Sequence, residues 1–397
     1  MKKLFLLVFL PALLMSQFSR LDNTGLGVGI RLESVRSTGM GGIAIALPDS
    51  FCINNTNPAF WGNFKYVTMN TGLDFRFNSD SKNFSTTGLR FSGFAFGVPV
   101  SKRVGILLGM APRTRVGYKA IYEDSVATEL TPKYRSESDV KGGISDFYFG
   151  IGWKLSGRTK AGIKISYSMG NYTGVVGTDV DINGGYESFL EKTQELIIRN
   201  VSLGFNFDLR RVNLGLICEK SLGGKVRTLY DFFYGTDSVT SYKNLGFVET
   251  YGIGITGKID KKRFVGFECR FERVPSNIFK KLLVLEEYRA RNSVFVAAGY
   301  ETFWRLSSKK KYYNRVFWRS GIYFWTYPTH AEVFEREYGI TFGWSYEFHM
   351  NSSRLDLSVV LARREGCLYD ENLQEKLAKL RVSLSMGEVW FVKIRKR

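Results

Sequence analysis

Leu377-Ala378-Lys379-Leu380-Arg381-Val382-Ser383-Leu384-Ser385-Met386-Gly387-Glu388-Val389-Trp390-Phe391 reads as a β-strand with two unlike faces. Leu380, Val382, Leu384 and Met386 fall on one face. Arg381, Ser383, Ser385 and Gly387 fall on the other. Successive side chains of a strand point to opposite sides, so the alternation sorts apolar from polar residues. A greasy face paired with a polar or glycine face, repeated over many segments, marks a transmembrane β-barrel: one face meets lipid, the other a wet lumen.

The pattern recurs back to residue 66. Tyr338, Ile340, Phe342, Trp344, Tyr346 and Phe348 oppose Gly339, Thr341, Gly343, Ser345 and Glu347. Phe147, Phe149, Ile151, Trp153 and Leu155 oppose Asp146, Gly150, Gly152 and Lys154. Val201, Leu203, Phe205, Phe207 and Leu209 oppose Asn200, Ser202, Gly204, Asn206 and Asp208. Val265, Phe267, Cys269 and Phe271 oppose Glu268, Arg270 and Glu272. Three charges in a row on a core-facing side would be very costly in a soluble sandwich. A wet lumen makes them cheap. Counting all such segments predicts an all-β chain, an antiparallel barrel of about fourteen strands. Short turns are expected near residues 101, 157, 210, 261 and 351, and longer loops near 125, 182, 233, 281 and 371. That asymmetry places the short turns, and with an even strand count both termini, in the periplasm.

Composition agrees. Only 44% of residues are hydrophobic, because half of each strand is polar. Glycine (41), Phe (32) and Tyr (21) are abundant, as lumen space and interfacial girdles require. Met1-Lys2-Lys3, the apolar run Leu4 to Leu14 and the small residue Ser16 read as a secretory leader, residues 1–16. Residues 17–62 form a separate N-terminal unit and 63–397 the barrel. The four cysteines, Cys52, Cys218, Cys269 and Cys367, form no metal or redox motif. The net charge of +19 sits at turns: Lys102-Arg103, Arg158 and Lys160, Arg210-Arg211, Lys261-Lys262-Arg263, Lys309-Lys310-Lys311 and the tail from Lys393. Basic turns on one rim fit anionic headgroups or plain solvation. They offer no aromatic and basic platform for nucleic acid.

One strand breaks phase. Leu89 and Phe91 are odd, whereas Phe94, Phe96 and Val98 are even, with Ser92-Gly93 between them. A one-residue slip at glycine predicts a bulge or a kink in the wall.

The segment before the barrel is different. Gly25, Gly27 and Gly29 precede Arg36-Ser37-Thr38-Gly39-Met40-Gly41-Gly42-Ile43-Ala44-Ile45-Ala46, then Asp49, then Asn54-Asn55-Thr56-Asn57-Pro58-Ala59. It is too apolar for a disordered tail, and it has no phosphate-binding G-x-x-x-x-G-K. A plug packed inside the lumen accounts for the small residues. Gly39, Gly41, Gly42, Asp49, Asn57, Pro58 and Ala59 are its candidate site residues, and Ser92 and Gly93 those of the wall kink. This segment resembles the N-terminal hatch of the FadL-type outer-membrane transporters of long-chain fatty acids and other hydrophobic compounds. The resemblance implies a fourteen-stranded barrel of the bacterial outer membrane closed by a hatch. It also implies passive uptake of a hydrophobic ligand with sideways release near a kinked strand. PorV- and PorQ-like barrels, which serve protein secretion or attachment, begin similarly and imply a docking partner instead. The basic residues after Trp390-Phe391 depart from the usual aromatic end.

Chemistry for an enzyme is lacking. His330 and His349 stand apart, no G-x-S-x-G occurs, and no Cys/His cluster suggests a metal or cofactor. Glu286-Glu287 after Ile278 to Leu285 reads as a loop helix over the mouth. The expected partners are outer-membrane lipids and a hydrophobic small molecule, with a protein partner if the barrel docks.

Overall fold

A computed structural model describes residues 28–29, 33–49, 53–81, 85–124, 134–180, 188–232, 238–243, 246, 248–260, 262–275, 291–305, 315–328, 334–348, 353–368 and 371–388. The leader, Gly25, Gly27, Cys52, Lys261, the expected loop helix, Lys309 to Lys311, His330, His349 and the tail lie outside the described residues.

The chain runs β1 (Val28–Gly29), helix α1 (Val35–Gly39), a 3-10 turn (Pro58–Asn63), β2 (Val67–Asp80), β3 (Ser85–Pro99), β4 (Val104–Asp124), β5 (Tyr134–Lys154) and β6 (Thr159–Val180). It continues through β7 (Ser188–Asp208), β8 (Val212–Phe232), β9 (Ser238–Lys243), β10 (Glu249–Lys258), β11 (Arg263–Arg273) and β12 (Ser293–Arg305). It ends with β13 (Arg315–Thr326), β14 (Arg336–Phe348), β15 (Ser353–Leu368) and β16 (Glu371–Glu388). Every pairing is antiparallel. β16 closes on β2 and β4 on β5, so fourteen of these strands form a closed barrel, with β1 and β9 as additions.

The facing follows the alternation. Phe342, Phe149, Leu203 and Phe267 look outward, whereas Ser345, Asp146, Asn200 and Glu268 are buried inside. Trp153, Trp304 and Trp318 are exposed near the short-turn end, where an aromatic girdle belongs.

Two expectations need correction. First, β4 to β8 run for 21 or 22 residues, about twice the 9–11 that cross a bilayer. In their far halves the facing inverts. Ile144, Tyr172, Leu196, Ile198 and Val226 are buried inside, while Glu195 and Arg227 are half exposed outside. A wall standing in water must hide its apolar residues inward, so the lipid-type alternation fades there. The same inversion puts Leu373 and Leu377 inside, and β16 begins at Glu371, paired with Leu368 of β15 across only two intervening residues. The connection expected to be a long loop near residue 371 is therefore only two residues long. Second, the lumen at mid-depth is filled by residues 33–49 and 53–63, so its charges are paired and buried rather than wet.

Candidate functional site

Residues 33–49 and 53–63 lie against the inner wall. Ser34 caps α1 by accepting from the Ser37 N–H at 3.2 Å. Met40 ends the helix, and Gly41 and Gly42 follow at φ 78° and 96°, a backbone region that disfavours any side chain. The chain thereby doubles back onto the barrel. Gly39 meets Gly343 so closely that a Cβ on either would sit within 2.9 Å of the other's Cα. Thr341 Oγ1 accepts from the Gly41 N–H at 2.8 Å and donates to the Gly39 carbonyl at 3.1 Å. The Gly42 carbonyl accepts from Arg270 at 3.0 Å. Glu268 accepts from the N–H groups of Ala44 and Ile45 at 2.7 and 2.6 Å.

Asn57 organises the second half. Its Oδ1 caps the 3-10 turn at Ala59 N (3.0 Å), and its Nδ2 donates to the carbonyls of Ile45 (2.7 Å) and of Phe205 in the wall (3.1 Å). Pro58 packs over Gly162 and Gly204, and Ala59 is fully buried. Trp61, also fully buried, donates to the Asn54 carbonyl at 2.8 Å.

Asp49 belongs to a closed ring of six charges. Arg36 contacts Asp49 (3.0 Å) and Glu301 (2.6 Å), and Arg319 contacts Glu301 (2.5 Å) and Asp356 (3.4 Å). Arg354 contacts Asp356 (2.9 Å) and Asp49 (2.6 Å). The signs alternate and sum to zero. Two members come from the inner segment and four from β12, β13 and β15. Burial works against the charge of Arg36, but Glu301 and Asp49 outweigh it and hold its pKa above the ordinary arginine value. A cavity of about 670 Å³ opens beside the ring toward the short-turn rim, walled also by Phe264, Phe303 and Phe317. Apart from Arg36, which stands in the Gly-rich motif, and Asp49, reading by motif missed the ring. Its signal was the inward phase of Glu301, Arg319, Arg354 and Asp356 on their strands.

The second feature is the wall at Ser92 and Gly93. Opposite β2, Gly93 pairs with Gly72 and Phe91 with Leu73, leaving Ser92 as the extra residue of a bulge; Gly93 has φ 122°. Beyond the bulge β3 and β4 part. They pair only through Phe94–Pro99 and Gly105–Met110. Higher up, β4 pairs with the two residues of β1, at Thr114 and Arg115. β4 has its own bulge at Arg113, whose side chain reaches Asp146 (3.2 Å) and Glu219 (2.8 Å). The apolar inner cluster of Val116, Ile144 and Tyr172 lies immediately above. The inner segment and this seam are linked: Arg381 donates to Thr38 and to Asp74 (2.8 Å), and Asp74 accepts from Arg90 of β3 (2.8 Å), two residues from the bulge. Among the described residues, no group of His, Cys, Asp and Glu is arranged to hold a metal.

The BamG family model matches residues 12–227 and 232–396, nearly the whole chain. The chain belongs to the BamG family. No curated protein matches it. Among solved structures this BamG-family barrel is similar to a FadL homologue of Pseudomonas aeruginosa, with TM-score 0.65 and 10% identity over 91% of this chain and 99% of that one. It is also similar to a deltaS2 mutant of TodX, a monoaromatic hydrocarbon channel (TM-score 0.57, 13% identity, 90% and 99% covered). CymD, another such channel, matches with TM-score 0.54 and 12% identity over 93% and 100%. At these identities the likeness is one of fold. The BamG-family chain is thus a FadL-like β-barrel of the bacterial outer membrane.

Proposed function

We propose that the barrel moves hydrophobic small molecules, fatty-acid-like in character, passively across the outer membrane, with residues 33–63 as its plug. The observation that carries this reading is the seam between β3 and β4. A barrel wall normally satisfies its backbone strand to strand, and an unzipped stretch in lipid is tolerated only where something covers or uses it. Here the unzipped stretch begins just above Phe94 and Met110, beside the outward-facing Phe147, and rises to an apolar inner surface at Val116 and Ile144. A ligand held on that surface has a short sideways route to lipid. FadL- and TodX-like neighbours of the same fold support the class of cargo. The chain Thr38–Arg381–Asp74–Arg90 gives the plug a grip on the seam.

The test is uptake of a labelled long-chain fatty acid by vesicles holding the full barrel. Deleting Ser92, the extra residue, realigns β3 with β2 and should cut uptake several-fold while the barrel stays folded. Uptake equal to that of barrel-free vesicles would overturn the reading.

A protein-docking barrel is the second reading, and the charge ring favours it. Six buried, mutually bonded charges bind the inner segment to the wall and resist its displacement. Intact protein that fails the uptake test but pulls down one defined outer-membrane partner would move this reading ahead.

A further inference from the structure

The short-turn rim has a chemistry that neither the seam nor the plug uses. Four consecutive turns repeat one design. Val100, Leu155, Leu209 and Ile259 are exposed by 59, 59, 60 and 54% at the turns that carry Lys102-Arg103, Arg158, Arg210-Arg211 and Lys262. Such exposure of aliphatic side chains is unfavourable in water and natural at a lipid interface. Each turn is fixed by a side-chain acceptor. Ser101 Oγ accepts from the N–H of Arg103, Ser156 Oγ from Arg158, Asp208 Oδ1 from Arg210 and Asp260 Oδ1 from Lys262. The turn carbonyls then accept from the next hairpin: Arg103 from Lys154 N, Arg158 from Asp208 N, Arg211 from Lys258 N. The backbone that carries these cations is thereby hydrogen-bonded from turn to turn along the rim.

At one point on this rim the cations converge. A cleft of about 580 Å³ lies between the end of the 3-10 turn and the β3–β4 turn, lined by Lys65, Lys102, Lys154, Ser101 and Phe64. Lining it are three ammonium groups and no carboxylate. None of the three lysines has a carboxylate partner among the described residues, whereas Arg263 further along the rim is compensated by Asp260 at 2.6 Å. Like charges gathered around one cleft repel, and a bound anion relieves that.

We propose that this cleft, whose inner side is closed by Phe64 against Gly97 and Gly105, seats the phosphodiester headgroup of an anionic phospholipid of the periplasmic leaflet, phosphatidylglycerol in chemistry, with Val100 and Leu155, exposed on the outer side of the adjoining turns, against the start of its acyl chains. Lipid is favoured over an acidic protein because Val100 and Leu155, on the outer side of the turns beside the cleft, expose aliphatic surface near the short-turn end where Trp153 stands. The site is independent of transport.

Native mass spectrometry of the full barrel in mild detergent, titrated with phosphatidylglycerol or phosphatidylethanolamine, tests it. The wild type should retain one phosphatidylglycerol in strong preference. A cation at an anionic surface is worth roughly five-fold. The variant Lys65→Gln/Lys102→Gln/Lys154→Gln should therefore lose the preference by about 10-fold or more. Removing as much charge from the opposite end, with Lys141→Gln/Lys192→Gln/Lys225→Gln, should leave it intact. Heat-shifted gel mobility checks that all barrels are folded. Equal retention of both lipids by the wild type, or equal losses in the two triple variants, would overturn the proposal. So would full displacement by millimolar inorganic phosphate, which would assign the cleft to a free anion.

Discussion

Arg36 grips Glu301 with two nitrogens of its guanidinium: Nε donates to Oε2 at 2.9 Å and Nη2 to Oε1 at 2.6 Å. The two residues are joined by planar, charge-assisted bonds that lysine could not reproduce. Removing one partner leaves the other charge buried and unpaired. Glu301→Leu is expected to cost about 3–5 kcal/mol, because Arg36 and Arg319 then face each other without their shared carboxylate. Urea unfolding in vesicles would measure the loss. Arg36→Met added to Glu301→Leu should recover part of it, and a strictly additive double variant would show that the pair is not coupled.

The inner glycines make room for backbone rather than for solvent. A Cβ on Gly321 would stand 2.3 Å from the Gly41 nitrogen, whereas one on Gly157 would meet nothing within 4 Å. Gly321→Ala should therefore cost about 1–3 kcal/mol and loosen residues 33–49 toward protease. Gly157→Ala should stay within about 0.5 kcal/mol. Equal sensitivity at the two positions would contradict the packing.

Neighbouring residues on β14 should fail in different ways. Phe342→Arg puts a charge on the lipid face and is expected to cost roughly 2–4 kcal/mol near mid-membrane. From the alternation alone, Gly343→Arg would be expected only to narrow a lumen. Its contact with Gly39 means that it must instead expel the inner segment, raising leakage of small polar solutes while the barrel persists. Conductance across planar bilayers separates the two outcomes.

The inverted upper wall carries its own expectation. Ile198 is fully buried on the inside of β7, and Glu195 is half exposed outside. Ile198→Ala should cost about 2–5 kcal/mol and Glu195→Ala less than about 0.5. A larger effect at Glu195 would mean that this height is still inside lipid.

The lipid-facing belt was legible because period-two alternation is strong wherever one side meets hydrocarbon, as from Tyr338 to Phe348. It failed near Leu373 and Leu377, where both the solvent and the preferred direction change. The bulge at Ser92 was legible as a phase slip, because a single extra residue moves every later side chain to the other face. The ring through Arg36, Glu301 and Arg354 was not legible as a ring. Alternation tells which way a charge points, but pairing across a lumen depends on strand height and tilt, which no local pattern records. For the same reason Asp49 was visible as a member of a motif but not as the partner of Arg354.

Almost every barrel strand hydrogen-bonds to a strand adjacent in the chain, and the turn carbonyls hand each hairpin to the next. Most of the wall can therefore form by local steps with little loop-closure entropy. Two events cannot: the meeting of Glu388 with Val67, and the locking of Arg36 and Asp49 among residues contributed by β12, β13 and β15. The N-terminal segment finds some partners early, Asn57 and Pro58 against Phe205, Gly162 and Gly204, but the carboxylate and guanidinium that hold Arg36 and Asp49 arrive only with the last third of the chain. During biogenesis Arg36 and Asp49 must therefore wait without their wall partners, and be locked in place in a barrel whose final seam has not yet shut.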